Sequence, residues 1–377
     1  MCEQETKNLK QIVVPLLEWY DRGRRILPWR EEPTPYHVWV SEIMLQQTRV
    51  EAVKPYYDRF MKELPDIQSL SMIEEERLLR LWEGLGYYNR ARNLQKAAQI
   101  IVTEYAGKMP AEYEELLRLP GIGSYTAGAI SSIAYGKSNP AVDGNVLRIM
   151  ARLCLDERDI LDAKVKRSVE DRLREIMPKE RPGDFNQALM ELGAMVCVPN
   201  GKAKCDECPW KGLCEARKED RVMEFPKKAP KKPRTVEDKT VLILRDENRI
   251  ALHKRPPKGL LAGMYEFPMI EGHVDADGVA DYLRERGMQP IRIQKLEDSR
   301  HIFSHKEWHM VGFAVRVDEL ADVKGAAQAE ELIYIDPQET RDRYPIPSAF
   351  AAYANYLEMK RGVESQENNS EKRKDGH

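Results

Sequence analysis

The chain has 377 residues, enough for two or three domains, and its 42% hydrophobic content can supply real cores. Sixty Lys and Arg against 62 Asp and Glu leave a net charge of −2, so bulk charge names no partner and any nucleic-acid surface has to come from local basic patches. No apolar run reaches the length of a membrane span and the polar start MCEQETKNLKQ lacks a signal-peptide core, which together predict a soluble, cytoplasmic protein.

From about residue 6 to 220 the pattern is helix after helix. YHVWVSEIMLQQTRVEAVKPYYDRFM and EDRLREIM carry apolar residues at helical spacing, with breaks at ELPD, GLGYYN and KSNPAVDGN. Ahead of them, LPWR sets Trp29 beside Arg30, which by themselves read as a core aromatic and a carboxylate partner. In WVSEIMLQQTRV, Glu42 stands among apolar neighbours with Gln46, Gln47 and Thr48 close behind; a lone Glu there is ordinarily a surface residue. GLGYYN contains Leu85, Gly86 and Tyr87, the last another aromatic that a core could claim.

LRLPGIGSYTA joins two helices through Pro-Gly-Ile-Gly. Gly121 and Gly123 permit unusual backbone angles and a close approach, and the free N–H groups at the start of the second helix attract anions such as phosphate. An ordinary tight turn fits the same residues. Tyr125 follows directly. In NPAVDGNVLRIM, Asp143 takes the place of an N-cap or first-turn residue, and Cys154, in the helical run VLRIMARLCL, reads as core.

Of six cysteines, Cys197, Cys205, Cys208 and Cys214 fall within 18 residues as C-x7-C-x2-C-x5-C, while Cys2 and Cys154 are isolated. Four thiols so close, with no histidine nearby, predict one compact metal centre. Structural zinc commonly uses two Cys-x2-Cys knuckles and here there is one; iron–sulfur clusters are typically held by four Cys thiolates. Lys202, Lys204 and Lys211 interleave with them and could lie against phosphates. Residues 226–234 then hold five basic residues, three prolines and no acid, the composition of an extended linker, which we bound at 221–236; it also imitates a nuclear-localisation signal.

Beyond it the period changes. TVLILRDENRIALHKR reads as two strands around a polar turn, VADYLRERG as a helix and HMVGFAVRVDEL as a strand, giving a separate α+β domain over 237–360. His301, His305 and His309 have the i, i+4 spacing of a helical metal site, which the strand that follows opposes. The tail from Arg361 is polar, with little to bury, and is expected to be disordered.

LPGIGSYTAGAI and VDGNVLRI resemble the helix-hairpin-helix DNA glycosylases of the endonuclease III superfamily. SEIMLQQT and LWEGLGYYNRARNL are similar to its adenine DNA glycosylase (MutY) family, as are HKRPPKGLLAGMYEFP and HIFSHKEWHM. The resemblance runs from about Leu17 to Leu357. It implies a mostly α helix-hairpin-helix glycosylase domain over 1–220, with an iron–sulfur loop at 197–214, followed by a Nudix-like α+β domain. Bifunctional members carry a Schiff-base lysine where this chain has Tyr125, which cannot form an imine, so the resemblance implies a monofunctional enzyme.

On the same basis Glu42 is the acid that protonates adenine at N7, Asp143 stabilises the positive sugar electrostatically or traps it covalently as glycosidases do, and Asn145 supports Asp143. Trp29, Arg30, Gln47, Thr48 and Gln187 lie near the extruded adenine or the opening it leaves. Tyr87, with Leu85 and Gly86, wedges into the duplex, and Gly121 and Gly123, ahead of Tyr125, grip phosphate. The four cysteines hold a [4Fe–4S] cluster; the family spaces the first pair one residue closer, and Gly201 could absorb the difference. Phe303, Ser304 and His305 lie over 8-oxoguanine. The Mg²⁺ helix pattern REx2EExG does not occur after the linker, which argues against pyrophosphatase activity. The implied partner is double-stranded DNA carrying A:8-oxoguanine or A:G, bound by a monomer in a bacterial nucleoid. A thymine-removing monofunctional relative and a non-catalytic DNA-binding scaffold are the competing readings.

Overall fold

A computed structural model of the chain describes residues 9–230, 233–256, 258–320, 332–344 and 346–358; Cys2 and the polar tail from Arg361 lie outside them. The chain divides into two units, Met1–Lys231 and Lys232–His377.

The first unit is helical. The elements that build its site are α1 (Val13–Gly23), α2 (Pro35–Leu45), α3 (Asn89–Glu104), α4 (Ser124–Ala129), α5 (Gly144–Cys154), α6 (Ala163–Ile176) and α7 (Pro182–Met195). One core gathers Leu16 and Tyr20 of α1, Val146 and Met150 of α5, Leu173 of α6 and Leu189 of α7, with Cys154 packed at its edge. Trp210, inside the cysteine loop, joins this core and donates its Nε1–H to the Ile12 carbonyl at 3.0 Å.

α2 starts cleanly because Thr34 accepts from His37 N and Pro35 presets the first turn. Its predicted continuation through 61 does not occur. The helix stops at Gln46, Gln47 adopts a left-handed φ of +61°, and a new helix runs Val50–Glu63. No glycine or proline marks the break. Its cause lies elsewhere in the chain, in the Arg90 side chain that takes up the carbonyls of Ile43, Met44 and Gln46.

The hairpin runs from Tyr113–Leu116 to α4, with Ile122 buried between the helices. Gly121 is left-handed at φ +78°, and an added Cβ would sit 2.7 Å from Asn93 Cβ on α3. Gly123 differs from expectation, since its φ of −97° suits any residue; what it provides is open space ahead of α4. We expect Gly121→Ala to cost about 2 kcal/mol in urea melts, from backbone strain plus displacement of α3. Gly123→Ala should cost well under half as much.

α4 passes into a π-helical turn at Ile130–Ala134. Gly128 lets the loop ahead of α5 approach, because a Cβ there would lie 2.2 Å from the Pro140 carbonyl oxygen. The supposed linker is also shorter than its composition predicts. Phe225 is buried, its carbonyl accepts from Arg152 Nε at 3.0 Å, and the Lys227 carbonyl accepts from Ile160 N at 3.2 Å. One buried aromatic outweighs the surrounding charge and fastens residues 222–227 to the helical unit.

In the second unit, β1 (Thr235–Arg245), β2 (Ile250–Lys254), β3 (Tyr265–Glu266), β4 (Met269–Glu271), β5 (Pro290–Lys295), β6 (Ser299–Ile302), β7 (Lys306–Val317) and β8 (Leu332–Ile335) form one sheet. Its path is β3-β2-β1-β7-β5, with β4 on β1, β6 on β7 and β8 on β2. β1 and β7 pair in parallel at the centre. The continuous VLIL run follows from burial on both faces: Val241 and Ile243 enter a core with Trp308 and Phe350, while Leu242 and Leu244 meet Val279 and Leu283 of α8 (Ala276–Glu285). The three histidines are not on a helix: His301 is on β6, His309 on β7 and His305 in the turn between.

Candidate active site

Glu42 lies in the apolar stretch of α2 and is 6% exposed. The Tyr125 hydroxyl donates to its Oε2, and the same hydroxyl touches Met190 Sδ at 3.0 Å. Burial pushes the Glu42 carboxyl up to about 7; Tyr125 pulls it down, Asp143 pushes it up and Arg30 pulls it down. Tyr125, buried against two carboxyls, is held well above the usual tyrosine range and stays a neutral donor.

Asp143 is the N-cap of α5. Its Oδ1 accepts from Val146 N at 2.8 Å and its Oδ2 from Asn145 Nδ2 at 2.7 Å. Burial raises its carboxyl, while these hydrogen bonds and the Arg148 charge oppose the rise by favouring the ionised form. Arg148 in turn donates to Asn145 Oδ1, the Gly193 carbonyl and the Cys197 carbonyl, which ties the cap of α5 to α7 and to the first cysteine. Asn186 staples the loop ahead of Asp143: its Oδ1 accepts from Ala141 N and its Nδ2 donates to Ser132 Oγ and the Asn139 carbonyl.

Both carboxyls line one cleft of about 720 Å³, within the size range of small-ligand sites. Tyr125, Asn145, Gln47, Thr48 and Gln187 line it too. Trp29 and Arg30 also border it, and they keep the plainer roles open to them. Trp29 is 5% exposed with its ring edge-on to Tyr57, and Arg30 donates to Glu191 Oε2 at 3.0 Å. Glu191, almost fully buried on α7, also takes both Nε and Nη2 of Arg25. Burial raises its carboxyl, but the two arginines win and hold it below the usual range. Lys166 of α6 reaches the rim and donates to Ser124 Oγ at 2.9 Å.

Arg25, Lys166, Arg148 and Glu191 were absent from the expected set. A Glu in the apolar helix ALMELGAM was the one signal of Glu191; the others look like ordinary helix or loop cations. Leu85, Gly86 and Tyr87 do not line the cleft. Leu85 is buried, Gly86 is left-handed at φ +68°, and Tyr87 stands 51% exposed at φ +48°. Gly121 and Gly123 form the separate hairpin turn described above.

The four cysteines line a second, apolar pocket, beside Val196, Ala203 and Arg152. Arg152 Nη1 donates to Cys197 Sγ at 3.2 Å. Burial pushes Cys208 up to about 12 and raises Cys205 and Cys214, with neighbouring thiols adding to each. Thiolates so crowded need a metal's positive charge to coexist, and the all-sulfur donor set fits an iron–sulfur cluster. Among the described residues no group of three or more His, Cys, Asp or Glu is placed to hold a metal ion, so the fit rests on the shared pocket and on the chemistry of its donors. Gly201, between the first two cysteines, is left-handed at φ +75°. Lys202, Lys204 and Lys211 are all exposed.

In the second unit Phe303 packs edge-on to Trp308 with centroids 4.9 Å apart, while Ser304 and His305 are exposed at the tip of the β6–β7 hairpin. Among the described residues no helix is long and apolar enough to cross a membrane.

Comparison with known proteins bears on this geometry. Residues 40–178 match the HhH-GPD superfamily of base excision DNA repair proteins, and residues 240–356 match the NUDIX domain. The chain is 36% identical to the adenine DNA glycosylase of Mus musculus, over 81% of this chain and 70% of that one. It is 35% identical to that of Buchnera aphidicola (strain APS), over 81% and 87%. With the Homo sapiens adenine DNA glycosylase it shares 38%, over 68% of this chain and 56% of that one. Among solved structures, a thermostable thymine-DNA glycosylase superposes with a TM-score of 0.53 at 27% identity, covering 58% of this chain and all of that one.

Proposed function

The chain belongs to the adenine DNA glycosylase family of the HhH-GPD superfamily, and from that membership we propose that it removes adenine paired with 8-oxoguanine or guanine, by hydrolysis without an amine nucleophile. The observation that carries this reading is the buried Glu42 carboxyl, raised to about 7 and sharing one cleft with an Asp143 whose partners favour its anion.

The chemistry follows from that pair. Adenine leaves the stack and enters the cleft. Glu42 gives its proton to N7 as the C1′–N9 bond breaks and its electron pair passes to the base. Asp143 faces the positive charge left on the sugar and stabilises it electrostatically. Water then adds to C1′, giving up one proton to the carboxylates and closing the balance. Tyr125 holds Glu42 in place as a phenol that keeps its proton; lacking an amine, it cannot form a Schiff base. Asn145 holds Asp143.

Cys197, Cys205, Cys208 and Cys214 would hold a [4Fe–4S] cluster, which would cross-link their loop and neutralise its thiolates. Arg148, bonded to both Asn145 and the Cys197 carbonyl, then sets Asp143 against a fixed loop. We read residues 1–220 as the catalytic domain. The Phe303, Ser304 and His305 hairpin is the element that meets 8-oxoguanine. The enzyme acts as a monomer on double-stranded DNA in a bacterial cytoplasm, and adenine DNA glycosylases of Buchnera aphidicola are among the relatives that support a bacterial setting.

The deciding experiment is single-turnover adenine release from duplexes with A opposite 8-oxoguanine, G or C. Release should be fastest opposite 8-oxoguanine and slowest opposite C; equal rates on all three would remove the specificity claim. Tyr125→Phe gives a separate check. Its hydrogen bond lowers the Glu42 pKa, so its loss should move the alkaline limb of the pH–rate profile upward from about 7. A limb that stays put, or moves down, would show that Glu42 is not the group titrating.

A further inference from the structure

Two turns of the first unit, forty residues apart, each hold a non-glycine residue in the left-handed region: Gln47 at φ +61° and Tyr87 at φ +48°. Both side chains are exposed. Residues with a Cβ avoid this region, and a bulky aromatic avoids it most, unless the surroundings fix it.

One guanidinium reaches both turns. Arg90, in the first turn of α3, donates through Nη1 to the carbonyls of Ile43 (2.7 Å), Met44 (3.2 Å) and Gln46 (2.7 Å), the last oxygens before Gln47. Through Nη2 it donates to the carbonyls of Leu85 (2.8 Å) and Gly86 (3.1 Å), the last oxygens before Tyr87. Its guanidinium carbon lies 5.4 Å from the Trp82 ring centre and 5.6 Å from that of Tyr87. Trp82 Nε1 donates to the Gly86 carbonyl as well, at 3.1 Å. The partners of the guanidinium are backbone carbonyls drawn from two turns and, among the described residues, no carboxylate. Burial lowers its pKa to about 10, which still leaves a full cation at neutral pH.

We propose that Arg90 is a positioning residue that locks the Gln47 and Tyr87 turns into one rigid two-pronged probe, so that both side chains press into the duplex together as the target base leaves the stack. This rests on the glycosylase reading above. Arg90 touches no reacting atom and acts through the two prongs. A planar fork with parallel N–H groups suits five carbonyls in two sets; a lysine ammonium keeps the charge but cannot bridge them. The locked geometry matters where an intact pair has to be opened and matters little where the adenine is already unstacked.

The test uses the full chain with Arg90→Met, Arg90→Lys, Tyr87→Ala and the Tyr87→Ala/Arg90→Met double variant. Single-turnover release is measured on A opposite 8-oxoguanine, and on an adenine left unpaired opposite an abasic analogue. Arg90→Met should slow release from the paired duplex by about 10- to 100-fold and from the unpaired substrate by less than about 3-fold, as expected of a misplaced positioning element. Arg90→Lys should follow Met rather than the wild type, and the double variant should lose less than the product of the two single losses, since Tyr87 and Arg90 share one of the two prongs.

Wild-type rates in Arg90→Lys, equal losses on both substrates, or fully multiplicative losses in the double variant would each overturn the proposal. Should Arg90→Met fail to fold, Arg90→Lys, which retains the buried cation, decides by the same comparison of substrates. A wild type that releases no adenine from either substrate defeats the glycosylase reading itself. An active wild type with neutral Arg90 variants defeats only this inference.

Discussion

Glu42→Gln should lower single-turnover adenine release by about 10³-fold at neutral pH while leaving binding to the mispaired duplex intact, within the range general acids contribute. Gln fills the same space in α2 and can still meet the Tyr125 hydroxyl, so the variant separates proton donation from packing. In the wild type the rate should fall as pH rises through about 7, because that is where burial leaves the carboxyl half-deprotonated. Glu42→Gln should lack that limb.

Stability carries the same signature with a definite sign. A carboxyl whose folded pKa of about 7 exceeds its unfolded value of 4.5 binds its proton more tightly in the folded state. The resulting stabilisation is fully present below pH 4.5 and is lost as pH rises through 7; at about 1.4 kcal/mol for each tenfold change in proton affinity it is on the order of 3 kcal/mol. Wild-type denaturant midpoints should therefore fall between pH 5 and 8 more steeply than those of Glu42→Gln. Parallel slopes would mean that the site is wetter than its 6% exposure implies.

Asp143→Asn and Asp143→Ala should part company in an informative way. Both remove the anion beside the sugar, and both should slow release by about 10²- to 10³-fold, the scale of a lost electrostatic stabiliser. Asn, however, remains a good N-cap and can still accept from Val146 N, so the α5 terminus should hold. Asp143→Asn should be as stable as the wild type or slightly more so, because burial raises the Asp143 pKa and so penalises its charged form. Asp143→Ala should lose about 1 kcal/mol through the missing cap. If the two variants were equally destabilised and equally slow, the aspartate would be acting mainly as a helix cap. If Asp143→Asn kept wild-type rates, the electrostatic role would fall.

The parts of the site legible in the sequence are those made by short segments. SEIMLQQT places Glu42 on a helix with apolar neighbours, VDGN supplies its own cap, and PGIG announces a turn; each is decided within a few residues. Chemistry that depends on distant partners left little trace. Glu191 is satisfied by arginines 161 and 166 positions earlier; Arg30 reads as a carboxylate partner, but nothing local names Glu191 as that carboxylate or distinguishes Arg25 from a surface cation. The break in the first long helix was invisible for the same reason, since what ends α2 is a guanidinium 44 residues beyond Gln46. Composition misled at residues 222–227, where five basic residues and three prolines in 226–234 masked a single buried phenylalanine. Tyr125 was legible as the absence of an amine, but its bond to Glu42 was not, since the two are 83 residues apart.

The hydrogen bond from Trp210 to Ile12 spans 198 residues and joins the first described helix to the cysteine loop. Arg25 and Arg30 make a similar span to Glu191. During synthesis, then, the opening helix leaves the ribosome long before its partners exist, and at roughly 5–20 residues per second it waits on the order of ten seconds or more for them. The cleft borders on both ends of the unit, so a nascent chain carrying Glu42, Tyr125 and Asp143 still lacks the wall that α7 and Glu191 provide. Base-removing competence therefore cannot arrive until more than half of the chain has been made, close to the point at which the cysteine loop is complete.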